Sequence, residues 1–257
     1  MSDLARQLHA HLNALRTAGI DFVPIPPVNE VLLEVGTTNM PNNSQTITPS
    51  LFSGLPAPSV SPLDPETRRQ SLSLLAEEVK GCPKCPELYS TRTQTVFGTG
   101  SPTAELCFIG EAPGADEDRT GEPFVGPAGQ LLTKIIIAMG LSRDEVYICN
   151  TLKCRPPMNR SPSPDELKNC RPFFERQIEL LQPKFICCLG GVAANAVLGT
   201  KVGITKLRGT WSDYNGIPVI CTFHPAFLLR DPSQKKYVWD DMKTLLTRMG
   251  RTIPAAK

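Results

Sequence analysis

The stretch LCFIGEAPGADEDRTGEPFVGPAGQLLTKIIIAM, residues 106–139, joins a short apolar run to a glycine-rich loop and a helical pattern. The run LCFIG at 106–110 predicts a buried β-strand, and residues 127–139 predict a helix. Three similar runs follow along the chain, at 146–150, 185–190 and 218–223. Continuous apolar strands that alternate with helices are typical of a parallel sheet covered on both faces.

Helical patterns lie between and around these runs, at 64–79, 164–181, 191–199 and 233–249. In parallel sheets of this kind, ligands bind outside the carboxyl ends of the strands. The segments that follow the four runs are richer in functional groups than a connector needs: GEAPG, NTLKCRPPMNR, GGVAANA and HPAFLLR. We therefore expect the chemistry of this protein along that rim.

The first 62 residues differ in character from the rest of the chain. Leu4, Leu8, Leu12 and Leu15 fall on one face of a helix, which is either a frayed stub or a docking peptide for another protein. Residues 36–62 contain few large apolar groups, as is typical of a flexible linker. We predict one domain over residues 63–250, followed by a short tail at 251–257.

Composition excludes several classes of protein. The 257 residues include 40% hydrophobic and 20% charged side chains, enough apolar content for a packed core. The longest weakly polar stretch, residues 185–199, falls short of the ~18 to 20 apolar residues that span a membrane. Nine cysteines and no export leader at the start of the sequence argue against a disulfide framework, so we expect a reducing cytosol, as in the bacterial cytosol and nucleoid.

Four cysteines are candidates for a metal site. Cys82 and Cys85 form a CxxC loop, and Cys154 and Cys170 lie outside the predicted strand cores, each followed by Arg-Pro. Four thiolates can bind an iron–sulfur cluster or a tetrahedral zinc ion, although four unrelated surface thiols would show the same spacing. The other five cysteines lie in apolar runs and are expected to be buried: Cys107, Cys149, Cys187, Cys188 and Cys221.

Three side chains of the rim segments have distinctive chemistry. Phe124, in a loop bounded by glycine and proline, suits either a stacking platform or a hydrophobic anchor. Asn150 ends a strand and could offer a donor and an acceptor to a planar amide. His224 follows another strand and could donate to a developing negative charge, although a histidine in such a place is commonly structural.

Taken together, these motifs resemble the uracil-DNA glycosylase superfamily, most closely its iron–sulfur-containing branch, family four. The resemblance runs from about Leu72 to Leu246 and includes, in order, CPKCPEL, GEAPGADEDRTGEPFVGPAGQLL, NTLKCRPPMNR, a downstream cysteine and HPAFLLR. The first 60 residues have no counterpart in the shared pattern. The resemblance implies a three-layer α/β/α sandwich around a four-stranded parallel sheet. It also implies a 4Fe-4S cluster, with zinc as the runner-up, held by Cys82, Cys85, Cys154 and Cys170.

The resemblance further implies a reaction. Uracil flipped out of DNA would stack on Phe124 in a pocket that includes Gly110 and Ala112, and Asn150 would read its Watson–Crick edge. His224 would stabilise the uracil anion as the N-glycosidic bond breaks, and hydrolysis would leave an abasic site without a Schiff base.

The resemblance does not carry over the water-orienting group, because this chain has Ala112 where the best-known branch of the superfamily has a catalytic aspartate. Glu111 is our first choice for that role and Asn159 our second. Glu117 is expected to border the C5 edge of uracil and exclude the methyl group of thymine.

DNA contacts are expected from the HPAFLLR loop, with Leu228 or Leu229 as an apolar wedge in the minor groove. The predicted phosphate contacts are Arg155, Arg160, Lys206, Arg208 and Arg230. We expect a monomer, with a further protein partner bound through the N-terminal segment. The alternatives are a noncatalytic iron–sulfur electron carrier or sensor, a glycosylase for another deaminated base such as hypoxanthine, and a zinc-stabilised DNA-binding module.

Overall fold

The computed structural model of the protein describes residues 64–254, whose strands form one six-stranded sheet. Four central strands run parallel in the order β3-β2-β4-β6, and the short strands β1 and β5 add to the two edges in the antiparallel direction. The bounds are β1 Thr99–Gly100, β2 Leu106–Gly110, β3 Tyr147–Asn150, β4 Phe185–Leu189, β5 Trp211–Tyr214 and β6 Ile217–Thr222. The predicted parallel sheet is confirmed, and the two edge strands were not predicted.

Helices cover both faces of the sheet. One face packs against α1 Pro65–Lys80, α5 Pro164–Leu181 and α6 Gly191–Leu198, and the other against α4 Pro127–Ala138 and α9 Lys235–Arg248. The shorter α-helices of the described chain are α2 Pro86–Thr91, α3 Ala115–Thr120, α7 Ile204–Leu207 and α8 Pro225–Arg230, and three 3-10 helices lie at Arg143–Glu145, Pro157–Asn159 and Pro232–Gln234. This arrangement is the predicted three-layer α/β/α sandwich.

The apolar runs are continuous because each strand is buried on both faces. In β2, Cys107 and Ile109 pack into one core, whereas Leu106 and Phe108 pack into the other. Alternate residues of a strand point to opposite faces, so a strand between two helical layers needs apolar side chains at every position. The five cysteines predicted to be buried are at most 1% exposed: Cys107, Cys149, Cys187, Cys188 and Cys221.

Two helices begin where their capping residues place them. Asp64 accepts hydrogen bonds from the N–H groups of Glu66 and Thr67, at 3.1 and 3.0 Å, and so caps α1. At α5, Ser163 and Glu166 form a reciprocal capping box. These caps satisfy backbone donors that would otherwise lack partners, and they explain why both helices start as predicted.

The strand order creates a switch point at the carboxyl ends of β2 and β4, because the chain leaves β2 toward one edge and returns to the other. Within residues 64–254, no helix is long and apolar enough to cross a bilayer. The predicted N-terminal helix and linker lie outside the described residues.

Candidate functional site

A cleft opens at the carboxyl ends of the parallel strands, where the sequence predicted the chemistry. Its volume is about 520 Å³. Segments that follow β2, β3 and β6 meet there. The lining includes nine residues that we proposed for the site from the sequence: Glu111, Ala112, Glu117, Phe124, Asn150, Asn159, Arg160, His224 and Arg230.

Gly110 shows how closely two of these side chains approach each other. A Cβ atom at Gly110 would lie 2.3 Å from Oδ1 of Asn150 and 2.5 Å from Cζ of Phe124. The ring of Phe124 is in turn 5.6 Å from the ring of His224, centroid to centroid, with an interplanar angle of 35°. The three side chains therefore border one space, and a residue larger than glycine would intrude between two of them.

Asn150 presents an acceptor to that space. The residue is 1% exposed, and within residues 64–254 its Oδ1 atom is buried without a hydrogen-bond partner. An unpaired buried polar atom costs about 1 to 3 kcal/mol, so it persists where a ligand can satisfy it. Such an acceptor at the wall of the cleft suits a ligand with an N–H group.

The tautomer of His224 follows from its position as the N-terminal cap of α8. Its Nδ1 atom accepts a hydrogen bond from the N–H of Ala226 at 3.1 Å, so in the neutral ring the proton is assigned to Nε2. Burial, with a smaller contribution from the positive charge of Arg230, lowers the pKa of His224 to about 4. At neutral pH the side chain is therefore an uncharged imidazole with one N–H donor to offer.

The two candidates for the water-orienting group, Glu111 and Asn159, have different polar partners in the cleft. Burial raises the pKa of Glu111, and a hydrogen bond to Ser161 opposes that shift. Oδ1 of Asn159 already accepts from Nε of Arg155 at 2.8 Å. Each of the two side chains thus already has one polar partner, and the choice between them as the water-orienting group stays a prediction. Ser161, which also lines the cleft, was not predicted.

Glu117 has a second role that the sequence did not indicate. Its Oε1 atom accepts from the N–H groups of Val125 and Gly126, at 2.9 and 3.0 Å, and its Oε2 atom accepts from Gly114 at 3.1 Å. Glu117 lines the cleft, but both carboxylate oxygens also hold the backbone of the loop that contains Phe124.

The two candidate wedge residues point in different directions. Leu228 is 1% exposed and packs in the core between the sheet and the helices, so its predicted role as a wedge is wrong. Leu229 is 48% exposed. Because consecutive helical residues lie about 100° apart, one can be buried while the next faces solvent. The wedge role stays a prediction for Leu229 alone.

The residues predicted to contact phosphate groups differ in whether their side chains are free to bind DNA. Arg230 lines the cleft and Lys206 is exposed, whereas Arg160 also bonds to Glu166 and Glu87 at 2.6 and 2.7 Å. Arg155 is held by Asn159.

Arg208 is partly buried and forms an ion pair with the buried side chain of Asp241. Its Nη2 atom lies 2.6 Å from Oδ1 of Asp241 and 2.8 Å from the carbonyl oxygen of Tyr237, and the Arg208 side chain is 19% exposed. Breaking this pair would leave the buried carboxylate of Asp241 without its partner, so Arg208 is less free than Lys206 to contact DNA, and its phosphate contact stays a prediction.

The four candidate ligand cysteines line a second cavity, separate from the cleft. Cys82 and Cys85 come from the turn between α1 and α2, Cys154 follows β3, and Cys170 lies in α5. Two side-chain donors point at sulfur atoms: Nη1 of Arg92 is 3.0 Å from Sγ of Cys154, and Nδ2 of Asn169 is 3.7 Å from Sγ of Cys85. Hydrogen bonds to sulfur are typical of bound thiolates.

The charges around this cavity favour an anionic group. Among the described residues that line it, Lys84, Arg92 and Lys153 are cationic and none is a carboxylate. Lys153 is fully buried and donates only to neutral oxygens, among them the carbonyls of Asn150 at 2.8 Å and Phe97 at 3.2 Å. A buried ammonium group with neutral partners is stabilised by negative charge nearby, which four metal-bound thiolates would supply.

Burial affects how the thiols of this cavity could bind a metal. Burial raises the pKa of Cys170 to about 12, although the positive charge of Lys153 opposes that shift, so a nearby metal would favour the thiolate form further. A single zinc ion requires four sulfurs at about 2.3 Å from one point. Within residues 64–254, no three Cys, His, Asp or Glu side chains converge closely enough to hold one ion. The four cysteines line one cavity, and the 4Fe-4S cluster, with zinc as the runner-up, stays a prediction for it.

Comparison with known proteins agrees with this geometry. The family model described as the uracil DNA glycosylase superfamily matches residues 97–243, more than half of the chain. The chain belongs to the uracil-DNA glycosylase superfamily. The match includes β2 to β6 and the segments that line the cleft, and it confirms the resemblance and the fold class read from the sequence.

Relatives within the superfamily are similar over most of their own length. A Type-4 uracil-DNA glycosylase of Thermotoga maritima is 45% identical over 181 residues, covering 69% of this chain and 94% of the relative. The Type-4 enzyme of Archaeoglobus fulgidus is 39% identical over 193 residues, covering 72% and 96%. That of Sulfurisphaera tokodaii is 44% identical over 185 residues, covering 68% and 83%.

Proposed function

We propose that this protein is a uracil-DNA glycosylase of base excision repair, which hydrolyses the bond between uracil and deoxyribose and leaves an abasic site. The observation that carries the proposal is the buried, unpaired Oδ1 atom of Asn150, beside Phe124 and within the same cleft as the N–H donor of His224. The relatives' shared name as Type-4 uracil-DNA glycosylases supports the same activity.

Asn150 accounts for the choice of base. Uracil flipped into the cleft stacks on Phe124 and presents the N3–H donor and the O4 acceptor. Oδ1 of Asn150 accepts from N3–H, and Nδ2 donates to O4. Cytosine has the opposite groups at both positions, so it would leave buried polar atoms unpaired, and sites of this kind reject such analogues by large factors.

His224 accounts for bond cleavage. As the N-glycosidic bond breaks, negative charge develops on uracil, chiefly at O2, and positive charge on the sugar. The neutral imidazole of His224, whose Nδ1 atom accepts from Ala226, donates its Nε2–H to that oxygen. A preorganised donor of this kind contributes about 2.7 to 4 kcal/mol to the rate, or roughly 100-fold to 1000-fold.

Water then completes the hydrolysis. We assign its orientation to Glu111, since Ala112 carries no polar side chain and Oδ1 of Asn159 is engaged by Arg155. Among the described residues that line the cleft there is no lysine, in keeping with a monofunctional enzyme that forms no Schiff base.

The four cysteines would hold a 4Fe-4S cluster. When bound, the cluster supplies a structural cross-link, and no redox step is required of it. Cys82 and Cys85 would be tied to Cys154, which immediately precedes Arg155 and the loop that contains Asn159. Purified protein with a cluster is brown and absorbs near 400 nm, whereas a zinc protein is colourless.

DNA is expected to contact the rim through Leu229 and Arg230, with binding that weakens as salt rises. We infer that the enzyme acts as a monomer and that the N-terminal segment binds a protein partner. A cytoplasmic location fits a DNA repair enzyme.

The decisive experiment uses oligonucleotides with a single uracil. Alkali after incubation reveals each abasic site as a strand break, and matched strands with thymine, cytosine or hypoxanthine test base choice. We expect cleavage of the uracil strand only, and loss of cleavage with retained DNA binding in His224→Ala. A protein that left uracil intact while its chromophore was reduced and reoxidised would instead be an electron carrier.

A further inference from the structure

Phe124 has a backbone conformation that is costly for an aromatic residue. Its φ angle is +55°, in the left-handed region that glycine tolerates and other residues rarely adopt. Such a conformation costs on the order of 1 to 3 kcal/mol and persists only when the surroundings enforce it. The groups that enforce it here come from outside the loop.

Arg143 bonds the carbonyl side of this strained residue. Its Nη1 atom donates to the carbonyl oxygen of Phe124 at 3.1 Å, and its Nη2 atom donates to the carbonyl oxygen of Pro123 at 2.8 Å. Nη1 also reaches Oγ1 of Thr133 in α4 at 3.2 Å. A planar guanidinium group can bond two adjacent carbonyls at once, which the ammonium group of lysine does less well.

Two further contacts hold the backbone of the chain at and after Phe124. Glu117 accepts from the N–H groups of Val125 and Gly126, which follow Phe124 directly. On the helix side, a Cβ atom at Gly129 would lie 1.9 Å from the carbonyl carbon and oxygen of Phe124, so the backbone of α4 packs directly against it. The backbone on either side of the aromatic ring is thus held by one cation and one anion.

We propose that Arg143 is a positioning residue for catalysis, which holds the ring of Phe124 in place as the platform for the flipped base. Arg143 is absent from the residues that line the cleft, so it acts through Phe124 and not on the base. Without it the strained backbone relaxes and the ring turns away from Asn150 and His224. This inference rests on the proposed function, since the platform matters only if a base occupies the cleft.

The test compares Arg143→Ala with Arg119→Ala in the full-length protein. Arg119 is a matched control because it lies in the neighbouring helix α3 and its side chain is 73% exposed, paired only with Asp116. Three measurements apply to each variant: the single-turnover rate on uracil-containing duplex, the affinity for abasic product DNA, and amide hydrogen exchange of peptides that cover 121–130. Rates are repeated with added millimolar methylguanidinium.

We expect Arg143→Ala to lose at least tenfold in single-turnover rate and to keep its affinity for abasic DNA within twofold. Exchange over 121–130 should be at least tenfold faster, and methylguanidinium should restore part of the rate. Arg119→Ala should match the unmodified protein throughout. If Arg143→Ala does not fold, Arg143→Lys should show the same losses to a smaller degree.

A rate within twofold of the unmodified protein would overturn the proposal. So would a lost rate that methylguanidinium does not restore and that is matched by an equal loss of abasic DNA affinity, since that pattern indicates general damage. If the unmodified protein releases no uracil, the proposed function fails, while hydrogen exchange still reports whether Arg143 holds the loop.

Discussion

Gly110→Ala should block the base site while leaving the fold intact. The added Cβ would lie 2.3 Å from Oδ1 of Asn150 and 2.5 Å from Cζ of Phe124, whereas ordinary contacts begin at 3.4 Å. Asn150 must therefore retreat by about 1.1 Å and the ring by about 0.9 Å. Misplacement by about 1 Å typically costs about 100-fold in rate.

The assay is single-turnover release of uracil under saturating enzyme, followed by alkali cleavage. We expect a loss of about 100-fold, with affinity for abasic DNA unchanged and stability lowered by about 1 to 3 kcal/mol through overpacking. Gly203→Ala is the matched control, because its φ of −67° suits alanine and a Cβ there meets nothing within 4 Å. A Gly110→Ala enzyme within threefold of the unmodified rate would refute the claim that the three side chains enclose the base.

Three further predictions concern charge and cysteine chemistry. The pKa of His224 is about 4 in the folded protein and 6.5 in the unfolded chain, so between these pH values the unfolded chain binds more protons. The free energy of unfolding should therefore fall by about 3 kcal/mol as the pH drops through that range. Denaturant unfolding measures this fall, which should be smaller in His224→Gln. Since burial raises the pKa of Glu111, the single-turnover rate should fall with acid at a pH above the ordinary value for a glutamate, and Glu111→Gln should be slower and lose that dependence. A Glu111→Gln enzyme of unmodified rate would move the water-orienting role elsewhere. Cys170→Ser should lower the iron content and the absorbance near 400 nm of the purified protein. Cys187→Ser, a buried cysteine outside the cysteine cavity, is the control and should keep both. If the two variants contained the same amount of iron, the result would count against the cluster site.

The candidate site was predictable where local sequence sets the direction of a side chain. Asn150 ends a buried strand and His224 follows one, so both had to emerge at the same edge of a parallel sheet. The same reasoning could not tell which of Leu228 and Leu229 faces solvent, because consecutive side chains of the short helix α8 point in different directions, one toward the core and one away from it. It also could not show that Arg208 pairs with the buried side chain of Asp241, which is 33 residues away in the chain.

Arg143 is the clearest example of a residue whose role could not be predicted from the sequence. It lies in a short 3-10 helix after α4, inside a Ser-x-x-Glu capping box that indicates a helix start and no catalytic role, and its contact with the carbonyl oxygen of Phe124 at 3.1 Å appears only in the folded chain. Glu117 was noticed as an acidic group beside the base, yet its bonds to backbone N–H groups depend on how the loop closes.

Sequence periodicity alone determined the layers, the parallel strands and the rim where the cleft opens, because burial on two faces demands apolar residues at every strand position. The folded chain decided which polar groups remain unpaired, which cations are already neutralised and which backbone is held under strain. Those properties depend on distances between segments far apart in sequence, and hydrogen bonds and charges change their effect over a few ångströms.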